Sequence, residues 1–352
     1  MKKILTILLA LMIMLAMMTA CGNEADPEEP AVPANADAEE PAETPEDDPA
    51  ETEDEPDEPE EIGEVIIETS DATPLMWRVT APDGQTMYLF GSIHAAESSL
   101  YPLSNTIMDA FYDADYLAVE VDIFNIASDM GAMMAFAAML EYDDGMSAVD
   151  EIGEDLYTRA LAALENTGFG LTAEQWGEQL DGYIPYAWID TFTSIAIEFS
   201  GLSAFQGLDL FFLVEAMEHG IKVLEVETLI GQLEALLSLS PEYQTAWLEE
   251  ALDIELGVEG LLEMYEAYKY GAIEYFEYLR DVLPETYNGL GVEFYQDLLI
   301  NRDIVMADAV EQYFEEGKNV FYVVGLLHMV GENGIIDLLT QRGYIVELVE
   351  IN

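Results

Sequence analysis

Cysteine is almost missing from this sequence. Its 352 residues hold one, Cys21, so no disulfide can form within the chain and any folded part must rest on its core. Histidine is nearly as scarce, at three residues. Positive charge is the third shortage: Lys and Arg together number 10 against 72 Asp and Glu, and two of the ten are Lys2 and Lys3. A surface of that sign repels phosphate backbones and anionic headgroups, which excludes nucleic acid as a partner and direct docking on an acidic membrane. It suits solubility in an ion-rich exterior. Scarcity also gives weight to each histidine and arginine that is present.

The first segment present is a leader. Lys2 and Lys3 precede an apolar run, Ile4 to Met18, broken only by a threonine, and the small residues Thr19 and Ala20 lead to Cys21. This is the layout of a cleaved secretory signal, too short and wrongly flanked for a membrane span. Met18-Thr19-Ala20-Cys21 resembles a bacterial lipobox, with Met18 where Leu is usual. Residues 1–21 are therefore expected to be a lipoprotein signal peptide, with Cys21 acylated and the protein held on the extracytoplasmic face of a bacterial cell membrane. An ordinary secretory signal with an incidental cysteine, or an uncleaved anchor, is the alternative. Residues 22–64, with runs such as PAETPEDDPAETEDEPDEPEE, have no periodic apolar positions and cannot offset chain entropy by burial. They read as a disordered acidic tether that lifts the rest off the membrane, and 65–352 as one globular domain.

That domain opens with strand signals, Met76 to Thr80 and Met87 to Phe90, on either side of Pro82-Asp83-Gly84, a hairpin turn. From about Gly145 to Glu316 the three-to-four spacing is helical, as in Leu261, Leu262, Tyr265, Tyr268, Lys269 and in Leu298, Leu299, Val305, Met306, Ala309. Ile221 to Val226 interrupts it as a short strand.

A weak internal repeat frames this middle. In the first unit a strand ends in Leu89-Phe90-Gly91-Ser92-Ile93-His94, a helix runs from about Asn105 to Ala114 with Ser104 as N-cap, and a strand follows from Tyr116 to Val121. In the second, a strand from Val320 to His328 contains Gly325-Leu326-Leu327-His328, a helix runs from about Gly334 to Arg342 with Gly343 as C-cap, and a strand follows from Tyr344 to Val349. Both read strand–GxxH–helix–strand, so the fold class is α/β: a mixed sheet built from two GxxH-bearing βαβ units with a large helical middle segment.

Ligands of open α/β sheets bind beyond the carboxyl ends of the strands, where both motifs fall. His94 and His328, two of only three histidines, are expected to converge on one cleft, with Gly91 and Gly325 allowing a tight turn or a close approach. Two imidazoles and a carboxylate suffice for a divalent transition metal with open positions. The carboxylate candidates are Glu120, in an apolar strand but on the face opposite Leu117 and Val119; Asp209, which also suits a helix N-cap; and Glu227, at the end of a short strand. Arg302 suits an oxyanion or a substrate carboxylate, or a structural pair. His219, near a helix end, reads as structural.

The ordered set of Trp77, Leu89 to His94, Pro102-Leu103, Glu120-Val121-Asp122, Gly207-Leu208-Asp209, Val226-Glu227-Thr228, Gln232, Arg302, and Val324 to His328 with Gly331 resembles the TraB/GumN/PrgY family, which includes the Tiki proteins. Asp303 stands where Asn is common and Val226 where Leu is common, and both are expected to lie away from the site. The resemblance implies a fold related to erythromycin-esterase and ChaN-like proteins. It implies a manganese- or cobalt-dependent peptidase with His94, His328 and Glu120 at its metal, Glu120 or Glu227 as ligand or general base, and a peptide or protein as substrate; zinc is the further candidate that two imidazoles and a carboxylate would suit. Peptide sequestration without catalysis, and haem or metal capture, are the alternatives from other classes.

Overall fold

The computed structural model describes residues 70–142 and 145–351. The signal peptide, Cys21 and the acidic tether lie outside the described residues.

Six strands form one sheet. β1 (Met76–Thr80) and β2 (Thr86–Ser92) are an antiparallel hairpin, with Thr80 opposite Thr86. Its turn is the Pro82-Asp83-Gly84 segment, where the Gly84 amide donates to the Ala81 carbonyl at 2.9 Å and Asp83 accepts from the Gln85 amide at 3.0 Å. Helix α1 (Asn105–Tyr112) then leads to β3 (Tyr116–Val119). Ser104 occupies the N-cap position of α1 but makes no capping bond; its buried hydroxyl has no protein partner. The helical middle includes α2 (Pro185–Ser200), α3 (Leu208–His219), α4 (Leu229–Leu237), α5 (Ile254–Lys269), α6 (Ile273–Val282) and α7 (Asn301–Glu315), with β4 (Lys222–Glu225) between α3 and α4. The chain closes with β5 (Val320–Gly325), the single turn α8 (Leu326–Met329), α9 (Ile335–Gln341) and β6 (Ile345–Leu348).

The strand order is β4-β3-β5-β2-β1-β6. β5 is parallel to both β2 and β3, and β3 to β4, while β1 runs antiparallel to β2 and β6. Both GxxH units are parallel crossovers as expected, but their strands are not neighbours. β5 enters between β2 and β3, and β6 is reached by passing β2 and β1. Interleaving puts the two motifs on adjacent strands, with Gly91 opposite Val324 and Ser92 opposite Gly325. β5 is buried along all six residues, as a parallel strand covered on both faces must be.

Several expectations need correcting. The first strand of the second unit ends at Gly325 rather than His328, and Leu326 to Met329 turn into α8, so His328 leaves the ladder. Leu262 and Val305 lie on the solvent side of their helices, at 40% and 50% exposure, whereas Leu261, Tyr265, Tyr268 and Met306 are buried. Gly343 follows the C-cap residue Arg342 with φ +96°, the left-handed geometry that ends helices. His219 is exposed at the end of α3, where its Nδ1 lies 2.9 Å from the Glu215 carbonyl and its ring packs on Tyr112.

Candidate active site

Two histidine–aspartate pairs are built from different parts of the chain. His94 follows β2 by two residues. The segment after it is zipped to the approach of α3 by Ala96–Ser203 backbone bonds of 3.1 and 2.8 Å and by the Leu208 amide donating to the Ile93 carbonyl at 2.9 Å. These bonds fix Asp209 beside His94: Asp209 Oδ2 lies 2.7 Å from His94 Nδ1, and Oδ1 accepts from the Ser92 hydroxyl at 2.7 Å. Asp209 is thus not the N-cap of α3, which is Gly207; it sits in the first turn, buried, as the partner of the histidine. His328, on α8, has its Nδ1 2.5 Å from Asp303 Oδ1. Asp303 was expected to lie apart from the site, and the structure places it against the second histidine, fully buried.

Both imidazoles therefore face a carboxylate through Nδ1. That contact favours the tautomer with the proton on Nδ1 and leaves Nε2 as the open nitrogen, the way metal-binding and proton-transferring histidines are usually held. Burial opposes a charge on His94, but the Asp209 carboxylate outweighs it and lifts the imidazole above its ordinary value.

Between the pairs lies a carboxylate–arginine cluster. Glu120 and Glu227 follow the adjacent strands β3 and β4, and the Glu227 amide donates to the Glu120 carbonyl at 2.9 Å, so the two side chains arise next to each other. Arg302 joins them: Nη2 is 2.8 Å from Glu120 Oε2 and 2.7 Å from Glu227 Oε2, and Nε is 3.0 Å from Glu227 Oε1. Its Nη1 donates to the Leu298 carbonyl at 3.2 Å. Gln232 of α4 donates to both glutamates at 3.0 Å. The Gly325 amide donates to Glu120 Oε1 at 2.8 Å, which ties the cluster to the second GxxH. Glu120 is 8% exposed, so solvation on an open sheet face is not its situation. Burial works against its charge, yet Arg302 first, and His328 and His94 after it, hold the carboxyl at about 2.

Of the residues singled out in the sequence, His94, His328, Glu120, Glu227, Arg302 and Asp209 all come to the carboxyl ends of β2, β3, β4 and β5. Gly91 serves a close approach rather than a turn: a Cβ there would meet Leu326 Cδ1 at 2.6 Å. The residues missed are Ser92, Asp303, Arg280 and Tyr268. Tyr268 of α5 is fully buried and donates to the Gly91 carbonyl at 2.6 Å. Tyr268→Phe removes that donor while keeping the ring. We expect a loss of about 1–2 kcal/mol, read as a lower urea midpoint at unchanged m value.

Among the described residues no three His, Cys, Asp or Glu side chains gather closely enough to hold an ion by themselves. The two imidazole Nε2 atoms are suitable nitrogen donors, each backed by a carboxylate. The charge also fits. Asp209, Asp303, Glu120 and Glu227 are paired with Arg280, Arg302 and the two imidazoles. Four carboxylates beside two arginines favour further positive charge there, carried by the imidazoles themselves or by a divalent cation bound to them.

Fold and site together define an α/β protein in which two strand–GxxH elements meet over a buried glutamate–arginine cluster. The TraB/PrgY/gumN family model matches residues 75–348, and the chain belongs to that family. Among curated proteins it is similar to "Metalloprotease TIKI2" of Xenopus tropicalis, 25% identical over 307 residues, which covers 74% of this chain and 57% of that protein. The chain thus spans little more than half the length of this relative. No solved structure matches it.

Proposed function

We propose that this chain is a metal-dependent hydrolase that cleaves peptide bonds, tethered outside the cytoplasm through lipid on Cys21. The observation that carries the reading is the pair of buried histidines just beyond the ends of two adjacent strands, each held through Nδ1 by its own carboxylate, beside a carboxylate-rich cluster. The name of the similar protein supports the peptide substrate, and the lipobox-like Met18 to Cys21 supports the anchoring.

His94 and His328 would hold manganese, cobalt or zinc through Nε2, with Glu120 as the adjacent carboxylate. When bound, such an ion supplies a Lewis acid for the scissile carbonyl and a water that ionises near neutral pH. The chain does the rest. Asp209 and Asp303 fix the two rings and keep their open nitrogens available. Arg302 holds Glu120 ionised and both Glu120 and Glu227 in place rather than serving as a free oxyanion donor, since both of its carboxylate-facing nitrogens are already committed. Glu120 and Glu227 are buried to a similar degree and both are paired with Arg302 and Gln232, so the carboxylate that would take part in proton transfer is one of this pair.

Metal content and affinity of the protein beside the His94→Ala/His328→Ala double variant test this. We expect stoichiometric manganese, cobalt or zinc in the wild type, lost in the folded variant together with metal-stimulated peptide cleavage. A wild type that binds none of the three ions overturns the metallohydrolase reading in favour of peptide sequestration.

A further inference from the structure

The two histidine–aspartate pairs are not equivalent. Asp209 is supported by a neutral hydroxyl, Ser92, and by its place in the first turn of α3, the positive end of a helix. Asp303 has a full countercharge. Arg280 of α6, 2% exposed, comes from the helical middle and belongs to neither GxxH unit. Its Nη1 lies 2.9 Å from Asp303 Oδ2 and donates to the Leu327 carbonyl at 2.7 Å, while Nη2 donates to the Glu332 carbonyl at 3.4 Å. The guanidinium also sits 5.8 Å from the Tyr295 ring centre, and the side chain packs on Gly331, where a Cβ would meet Arg280 Cδ at 3.1 Å.

One planar fork thus touches the carboxylate behind His328 and the carbonyls on both sides of that residue in the chain. A lysine ammonium could supply the charge, but not a planar group that pairs with the carboxylate while two separate nitrogens donate to two carbonyls. Without a countercharge, a carboxylate buried as deeply as Asp303 would be left with an imidazole alone. A neutral amide at that position would accept the same imidazole proton and need no countercharge. Arg280 and Asp303 are therefore matched to each other.

We propose that Arg280 is the positioning residue of the second histidine, aiming the Asp303 carboxylate at His328 Nδ1 and pinning the surrounding turn so that Nε2 stays the open nitrogen. This rests on the reading of His328 as a site residue, but its test needs neither metal nor substrate. With three histidines in the chain, ring-nitrogen NMR of the full-length protein labelled at histidine is simple to assign with His94→Gln and His219→Gln variants. The wild type should show His328 as one fixed tautomer, protonated at Nδ1. In Arg280→Met the His328 signals should move to the averaged values of an exchanging imidazole, with His94 and His219 unchanged. Arg280→Lys should lie between, and Arg280→Met/Asp303→Asn should return the fixed pattern.

A folded Arg280→Met with the wild-type His328 pattern overturns the proposal, as does a double variant no nearer the wild type than the single. If Arg280→Met does not fold, the double variant decides in the same terms: a fixed tautomer supports the assignment, and an averaged or unfolded one ends it. Where metal binds, Arg280→Met should also weaken it about 10–100-fold. A wild type that takes no metal, yet shows the Arg280-dependent pattern, removes the hydrolase reading and leaves this one standing. Metal binding with a His328 indifferent to Arg280 does the reverse.

Discussion

Replacing Arg302 by methionine should lower stability at pH 7 by about 3–5 kcal/mol, because two neighbouring, largely buried carboxylates lose their shared cation. For a chain of this size that is a fall in Tm of roughly 10 °C. The pH dependence carries the sign. In the wild type the Glu120 carboxyl is held at about 2 against an ordinary value of 4.5, so its ionised form contributes stability that is complete above the ordinary value. That contribution, on the order of 3 kcal/mol, should fade as pH falls from 4.5 towards 2. In Arg302→Met the largest of the lowering influences is gone, and protonation of one glutamate relieves the repulsion. The gap between variant and wild type should therefore narrow on acidification. Calorimetry at pH 7 and pH 4 checks both halves, and a variant melting within 2 °C of wild type at pH 7 would contradict the shared-cation account.

Gly207→Ala should be the most damaging single methyl group in the site. Gly207 has an ordinary φ of −64°, so its backbone conformation does not demand glycine. Contact does: a Cβ would lie 2.2 Å from the His94 carbonyl oxygen and 2.6 Å from its carbon, and neither backbone atom can yield cheaply. The start of α3 would have to retreat, taking Asp209 from His94 and breaking the Leu208 bond to Ile93. We expect about 2–4 kcal/mol lost in urea titration and metal affinity lowered at least about tenfold. A variant that keeps the wild-type metal affinity would show that the α3 start can shift without disturbing the histidine.

These effects were unequally visible in the sequence. The GxxH repeat predicted two parallel crossovers because strand ends, turn residues and helix periods are local signals, and the structure contains both. Strand order is not local: nothing in β2 or β3 alone says that a strand from the far end of the chain will separate them. The histidines and Arg302 stood out because those residues are scarce in this chain, and Glu120 and Glu227 because a carboxylate is costly in or beside an apolar strand. Their supports did not. Asp303 was one acid among 72 and was set aside as a departure beyond the site, and Arg280 lay in an amphipathic helix with the look of an ordinary surface residue. Asp209 was legible as a residue but not in its role, since a helix cap and a first-turn carboxylate have the same pattern until the partner strand is in place.

The position of β5 also sets a timetable. A polypeptide grows from its N-terminus, and until Val320 to Gly325 have been made, β2 and β3 have a vacant place between them, with the second imidazole, its aspartate's full setting and the amide that holds Glu120 still incomplete. A chain that lacks this strand carries His94, Glu120 and Arg302 but neither the second histidine nor the amide that holds Glu120, so the cluster closes only when the last strand enters the middle of the sheet.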